Sequence, residues 1–226
     1  MRKVFVTILL SCESGRGTMK TMKFLPAIFL IAMITVCAVA QEIQQMPAEQ
    51  VGKIARKVVA ALGSPSDAPF SVDADAEKSA GIKGSGETGL LAIPDRKLTA
   101  EMMASAGKEV TALGQLWMRN VVPAVSGASA DPAKLRTVSV RDGEQEAKVE
   151  VYFLGLTKSD AGTVEIGFYA KDKEPLVKVP LVKTDAAASA TPIALDGHKE
   201  GENNGILVIT IFGSYKADVV VTKPRE

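Results

Sequence analysis

The chain has 226 residues, with 27 basic against 26 acidic residues and a single histidine, for a net charge of +1 at neutral pH. A near-neutral balance without a basic patch argues against nucleic acid as a partner. Both cysteines, Cys12 and Cys37, lie among the first 40 residues. The remainder therefore offers no thiolate metal ligand and no cysteine nucleophile.

Residues 1–40 read as a leader. Lys20 and Lys23 precede the apolar run FLPAIFLIAMITVCAVA, and Ala38-Val39-Ala40 before Gln41 is a small-x-small cleavage site. The apolar part of the preceding MRKVFVTILLSCESGRGT is too short for a second signal, which places the true start at Met19 or Met22. Two alternatives to cleavage after Ala40 stay open. Phe24 to Ala40 is short for a retained anchor, given the ~20 residues of a bilayer span. Cys37 is a lipidation candidate, although Val36 before it is bulky for that processing. Cleavage leaves 186 residues, and because the leader carries five basic residues and one acidic residue, 22 basic and 25 acidic residues remain, a net charge of −3. An exported chain of this length without disulfides has to be held together by its hydrophobic core.

Pro47 to Leu62 predicts a helix: proline suits its first turn, Glu49 its positive end and Gly63 its stop. Val51, Ile54, Val58 and Leu62 share one face, with Lys53, Arg56 and Lys57 opposite. A membrane-surface helix has a similar pattern, but three basic residues make a docked amphipathic helix the better reading. Residues 63–89 read as a long irregular tract of small and polar residues. Leu90 to Ile93 is a short strand ended by Pro94, and Thr99 caps a second helix through about Glu109.

From Leu113 the texture changes to strands: LGQLWMRNVV, stopped by Pro123, then LRTVSV, AKVEVYFLGL and TVEIGFYA. In the last of these, Val164, Ile166 and Phe168 alternate with Thr163, Glu165 and Gly167, the pattern of a half-buried strand. Pro180 makes LVKVPLV an edge strand or ends it. A brief PIAL, the polar loop DGHKEGENNG and a β-branched hairpin from Gly205 to Val221 complete the chain. With Gly213-Ser214 as a two-residue loop, Phe212 faces Tyr215 and Val208 faces Val219. The face carrying Leu207, Ile209, Ile211 and Val220 then needs a cover; the 47–62 helix is the expected one, or failing that the Thr99–Glu109 helix, so that Ile54→Asp would destabilise the fold.

Several motifs resemble chemistry and fail on inspection. Gly81 to Thr88, GIKGSGET, has Glu87 where a phosphate loop carries lysine, and no buried strand precedes it. Asp73, Asp75 and Glu77 alternate as calcium ligands do, but Lys78 and Gly84 stand where an EF-hand needs glycine and glutamate. An irregular calcium site remains an alternative to a solvated acidic loop. Ser105 and Lys108 fit S-x-x-K without the K-T-G or S-D-N partners. His198 sits in a polar loop unsuited to holding a triad imidazole. Trp117, with Arg119 on the same face, is either a core anchor or an exposed stacking platform, the former being the commoner fate.

The fold expected is mainly β: an antiparallel β-sandwich, of which an immunoglobulin-like arrangement is one form, with one or two N-terminal α-helices packed on it. A small barrel gives much the same strand pattern. The organisation expected is a leader at 1–40, an N-terminal region of helix, Gly-rich tract and short helix at 41–112, and the β-sandwich at 113–226. No residue is assigned as catalytic, cofactor-binding or metal-ligating, and no cofactor is expected; the assigned processing site is Ala40/Gln41. These features point to an exported non-catalytic module, structural or binding, in the periplasm or at the cell surface. Its partner would be another protein or a cell-surface component, with membrane contact only through an uncleaved leader. The alternatives are a small hydrolase using carboxylates on sandwich loops, and a carrier of apolar ligands.

Overall fold

Proline 47 and the 3.6-residue spacing set a helix, α1 (Ala48–Leu62), which ends at Gly63 with φ +61. Val51, Ala55 and Val58 form its buried stripe, and Ile54 and Leu62 flank it half-buried. The computed structural model describes residues 43–225. The leader, its cleavage site Ala40/Gln41 and both cysteines lie outside the described residues.

Numbered along the chain, the strands are β1 (Gln44–Gln45), β2 (Ala80–Lys83), β3 (Gly89–Pro94), β4 (Thr111–Arg119), β5 (Val122–Val125), β6 (Ala128–Ser129) and β7 (Thr137–Asp142). The second half adds β8 (Gln145–Lys158), β9 (Val164–Tyr169), β10 (Val177–Pro180), β11 (Val182–Lys183), β12 (Ile193–Glu200), β13 (Asn204–Ile211) and β14 (Tyr215–Thr222). They pair antiparallel in two sheets. One runs β1-β2-β3-β4-β8-β9-β10, with β7 beside β8; the other runs β12-β13-β14-β5-β6, with β11 beside β14. Pro180 ends the edge strand β10, where a missing donor costs no ladder bond.

The period of two then decides the layers. Leu116 and Met118 of β4 and Tyr152, Leu154 and Leu156 of β8 point inward against Leu207, Ile209 and Ile211 of β13 and Val219 and Val221 of β14. The alternate residues, Leu91, Ile93, Trp117 and Val151, point to the other side of the first sheet and meet α1. The protein is a β-sandwich with a helix packed on it.

Several local expectations are corrected. The 205–221 hairpin turns through three residues, Phe212 to Ser214, so Ile211 pairs with Tyr215 and Leu207 with Val219. Phe212 and Gly213 both take positive φ, and the Ser214 N–H donates to the Ile211 carbonyl at 3.2 Å. The face carrying Leu207, Ile209 and Ile211 is thereby buried against the first sheet, together with Ala217, Val219 and Val221. Helix α1 covers the outer face of the other sheet, and Ile54 is half-buried, so the substitution that places a charge in that core is Val58→Asp.

The tract 63–89 is not wholly irregular. A short 3₁₀ turn (Ala76–Lys78) leads into β2, which pairs on both sides. The helix after Thr99, α2 (Ala100–Ala104), stops at Ser105, short of Glu109. LGQLWMRNVV is two strands: Asn120, at φ +57, turns the chain out of the first sheet, and Val122 resumes in the second. Pro123 lies within β5 rather than stopping a strand. His198 belongs to strand β12, opposite Ile206, rather than to a loop.

Candidate functional site

The sheet switch at Asn120 leaves one strand longer than its neighbour. The β4–β8 ladder ends at Met118 opposite Glu150, but β8 continues back to Gln145 with β7 on its far side. The β7–β8 hairpin therefore projects as a two-stranded ribbon, turning at Gly143 with φ +65. Cross-strand pairs Val138–Val149 and Val140–Ala147 put an apolar face on the side of α1.

Between this ribbon, α1 and the β2–β3 turn lies an open groove of about 710 Å³. Leu91, Trp117 and Val149 form its floor and Gln50 and Ile54 its helical wall. Glu87 and Arg119 pair at the rim, and Lys83 and Glu146 stand beside them. The remaining free side is main chain. The Val151 N–H donates to the Arg136 carbonyl at 2.9 Å, on the β7 side. In an antiparallel ladder successive residues alternate in direction. The backbone N–H and C=O groups of Glu146 and Lys148 consequently face the open edge, where β4 provides no partner.

The residues singled out from sequence are mostly placed elsewhere. Trp117 is 2 % exposed, and its indole N–H donates to Gln115 Oε1 at 3.1 Å, so it is a core anchor under α1. Arg119 shares its face but pairs with Glu87. Gly81 to Thr88 spans β2 and its turn into β3, a hairpin without the helix that a phosphate loop requires. Asp73 pairs with Arg96 at 3.4 Å, Asp75 with Lys78 at 3.6 Å and Glu77 with Arg56 at 2.5 Å. Asp75 Oδ1 also accepts from the Glu77 N–H, and Asp95 Oδ2 from the Asp73 N–H at 2.8 Å, so these carboxylates tie the approach to β2 against the end of β3. Ser105 ends α2, and Lys108 pairs with Asp160 at 2.7 Å rather than with a nucleophile. His198 is exposed at the mouth of a separate cavity of about 140 Å³ at one end of the sandwich.

Sequence reasoning missed Ile54 as a groove wall and Gln145 to Val149 as a free edge. Asp142-Gly143 between two alternating runs is a hairpin signal that identifies the ribbon. Nothing in the sequence shows that β8 outruns β4.

Next to the groove, Glu150 points inward at the end of the ladder. Burial holds its carboxyl above the usual glutamate range. The neighbouring Tyr152 hydroxyl is buried with no hydrogen-bond partner among the described residues, and burial together with the Glu150 charge pushes its phenol far up. For a carboxyl raised on folding, the folded state binds the proton more tightly. Stability is then greatest below the unfolded value of about 4.3 and falls as pH rises through the folded one. Glu150→Gln is expected to raise the melting temperature at pH 7 and to change it little at pH 4. Thermal melts at the two pH values test this, and a variant less stable than the parent at pH 7 contradicts it.

Among the described residues no helix is long and apolar enough to cross a membrane. No protein-family model matches the chain, and no curated protein or solved structure matches it either. The groove is thus interpreted from its own chemistry.

Proposed function

We propose that this chain is an exported, non-catalytic β-sandwich module that works by binding, in the periplasm or at the cell surface. Its docking face is the α1 groove, and what it receives is an extended segment of polypeptide. The observation that carries this reading is the unpaired edge of β8 beside an apolar floor. Exposed strand edges are usually shortened, bulged or covered, because their free N–H and C=O groups pair with any strand that reaches them. Here one face of the edge is apolar, through Ala147 and Val149, and strand addition combines these two elements: main-chain bonds give affinity and alternate side chains give selectivity.

A photo-crosslinking amino acid in place of Ala147, introduced in the native host, tests the reading. Adducts with polypeptide are expected from position 147 and not from Val182, which is exposed in the second sheet. Equal yields at the two positions, or none at 147, overturn it. Mass spectrometry of the same material is expected to start the chain at Gln41; an intact leader or a lipid on Cys37 would contradict the export route.

A further inference from the structure

We propose that the strand received by this edge comes from a second copy of the chain, with β8 pairing antiparallel to its counterpart about a two-fold axis at Ala147. This rests on the docking reading above and names its partner. The argument begins with direction. Glu146 and Lys148 present their backbone groups to the edge, whereas Ala147 turns its own toward β7. A two-fold centred on Ala147 therefore sets Glu146 against the partner's Lys148, and Lys148 against the partner's Glu146. Each of these is a hydrogen-bonded pair that exchanges both main-chain bonds.

Charge selects this register. Centring the axis on Glu146 or on Lys148 would place that residue opposite itself, a like-charge pair. Centring on Ala147 makes both rungs opposite in sign. Both side chains are exposed, and among the described residues Glu146 makes one ion pair, with Arg141 at 3.7 Å. Lys148 has no ion pair among the described residues. The centre itself is a non-hydrogen-bonded pair, where Cα atoms approach to about 4.5 Å and the two side chains lie close together. Alanine occupies it.

The same charges perform a second task. Charged residues on an edge repel unselected strands, and a sequence reading Glu-Ala-Lys along the edge accepts only its own reverse or an equivalent. Because the axis is two-fold, this pairing consumes the β8 edge of both copies, so association through that edge closes at two chains. The apolar ribbon faces then run on from one copy to the next through Ala147 and Val149.

Sedimentation equilibrium on the protein recovered from its native host, with charge variants, provides the test. A monomer–dimer equilibrium is expected. Glu146→Lys and Lys148→Glu should each weaken it about tenfold, since each turns two attractive rungs into repulsive ones. The double variant carrying both reversals should recover dimerisation. Ala147→Cys should give a disulfide-linked dimer on mild oxidation, whereas Val182→Cys should not. Both charge positions are solvent-exposed, so unchanged far-UV circular dichroism separates a lost contact from a lost fold. Association indifferent to the single reversals, or equal cross-linking at 147 and 182, overturns the proposal. A monomer at the highest soluble concentration overturns it too. If that monomer still forms adducts with another polypeptide at position 147, docking stands and only self-pairing falls; without such adducts both fall.

Discussion

Gly114→Ala is expected to leave the domain unfolded under conditions in which the parent is native. In β4 the register against β8 shifts between Ala112 and Gly114, forming a bulge with Leu113 fully buried. The Leu113 carbonyl there accepts from the Asp95 N–H at 2.8 Å. Gly114 takes φ +148, and a methyl group on it would lie 2.2 Å from the Ile93 carbonyl oxygen and 2.8 Å from Pro94 Cα. Both contacts are backbone, so no rotamer relieves them. Moving β3 away would disturb Leu91 and Ile93 under α1 and Leu90 and Ala92 in the sandwich core at once. A cost above about 4 kcal/mol follows, from strain and overlap together, against a total stability of about 5–15 kcal/mol. Urea titration followed by circular dichroism measures it. Gly107→Ala, where no atom lies within 4 Å of the added carbon, is the control and should change stability by at most about 0.5 kcal/mol. A parent-like midpoint for Gly114→Ala would mean that the bulge is not built as described.

The contrast between what was legible in the sequence and what was not follows from how strongly each segment is amphipathic. Helix α1 carries its proline, its period and its terminal glycine in seventeen consecutive positions, 47–63. Strand β9 alternates in sequence and buries Ile166 and Phe168 as expected, but its other face is covered too, Tyr169 packing against Phe70. The 204–211 arm fails for the opposite reason: its alternate sets are both apolar, so a slip of one residue leaves the hydrophobic pattern almost unchanged. Its register is set by tertiary contacts instead. The Ser189 N–H donates to the Phe212 carbonyl at 2.8 Å, and a side chain on Gly213 would meet the Ala187 carbonyl at 2.6 Å. Strand β2 was hidden because Gly81 reads as loop. The glycine is there for packing, since an added carbon would lie 3.1 Å from Val51 and 3.2 Å from the Met46 sulfur of the helix layer. The groove was the least visible feature. It is a mismatch in length between two strands distant in sequence, created by one left-handed asparagine at position 120. Residue types carry no record of such a mismatch.

Trp117→Ala should show the second-largest effect, and it also distinguishes the groove's floor from its wall. The indole is buried among Val51, Ala55, Val58, Leu91 and Val151, the contacts that hold α1 to the first sheet. Truncating a buried tryptophan costs about 3–5 kcal/mol through lost transfer energy and the cavity left behind. Gln115, 4 % exposed, also loses the donor to its Oε1, and an orphaned buried acceptor adds about 1–3 kcal/mol. Trp117→Phe keeps most of the packing and loses only that bond, so it should fall between Trp117→Ala and the parent. Ile54 faces the same groove from the half-buried side of α1, and Ile54→Ala should cost less than either tryptophan variant. Urea midpoints for the three variants and the parent give the order directly. If Ile54→Ala proved as damaging as Trp117→Ala, the groove would be closed in solution, with α1 pressed onto the β8 edge. That edge would then be unable to accept a strand from outside, so the ranking of these midpoints tests the fold and the docking face in one measurement.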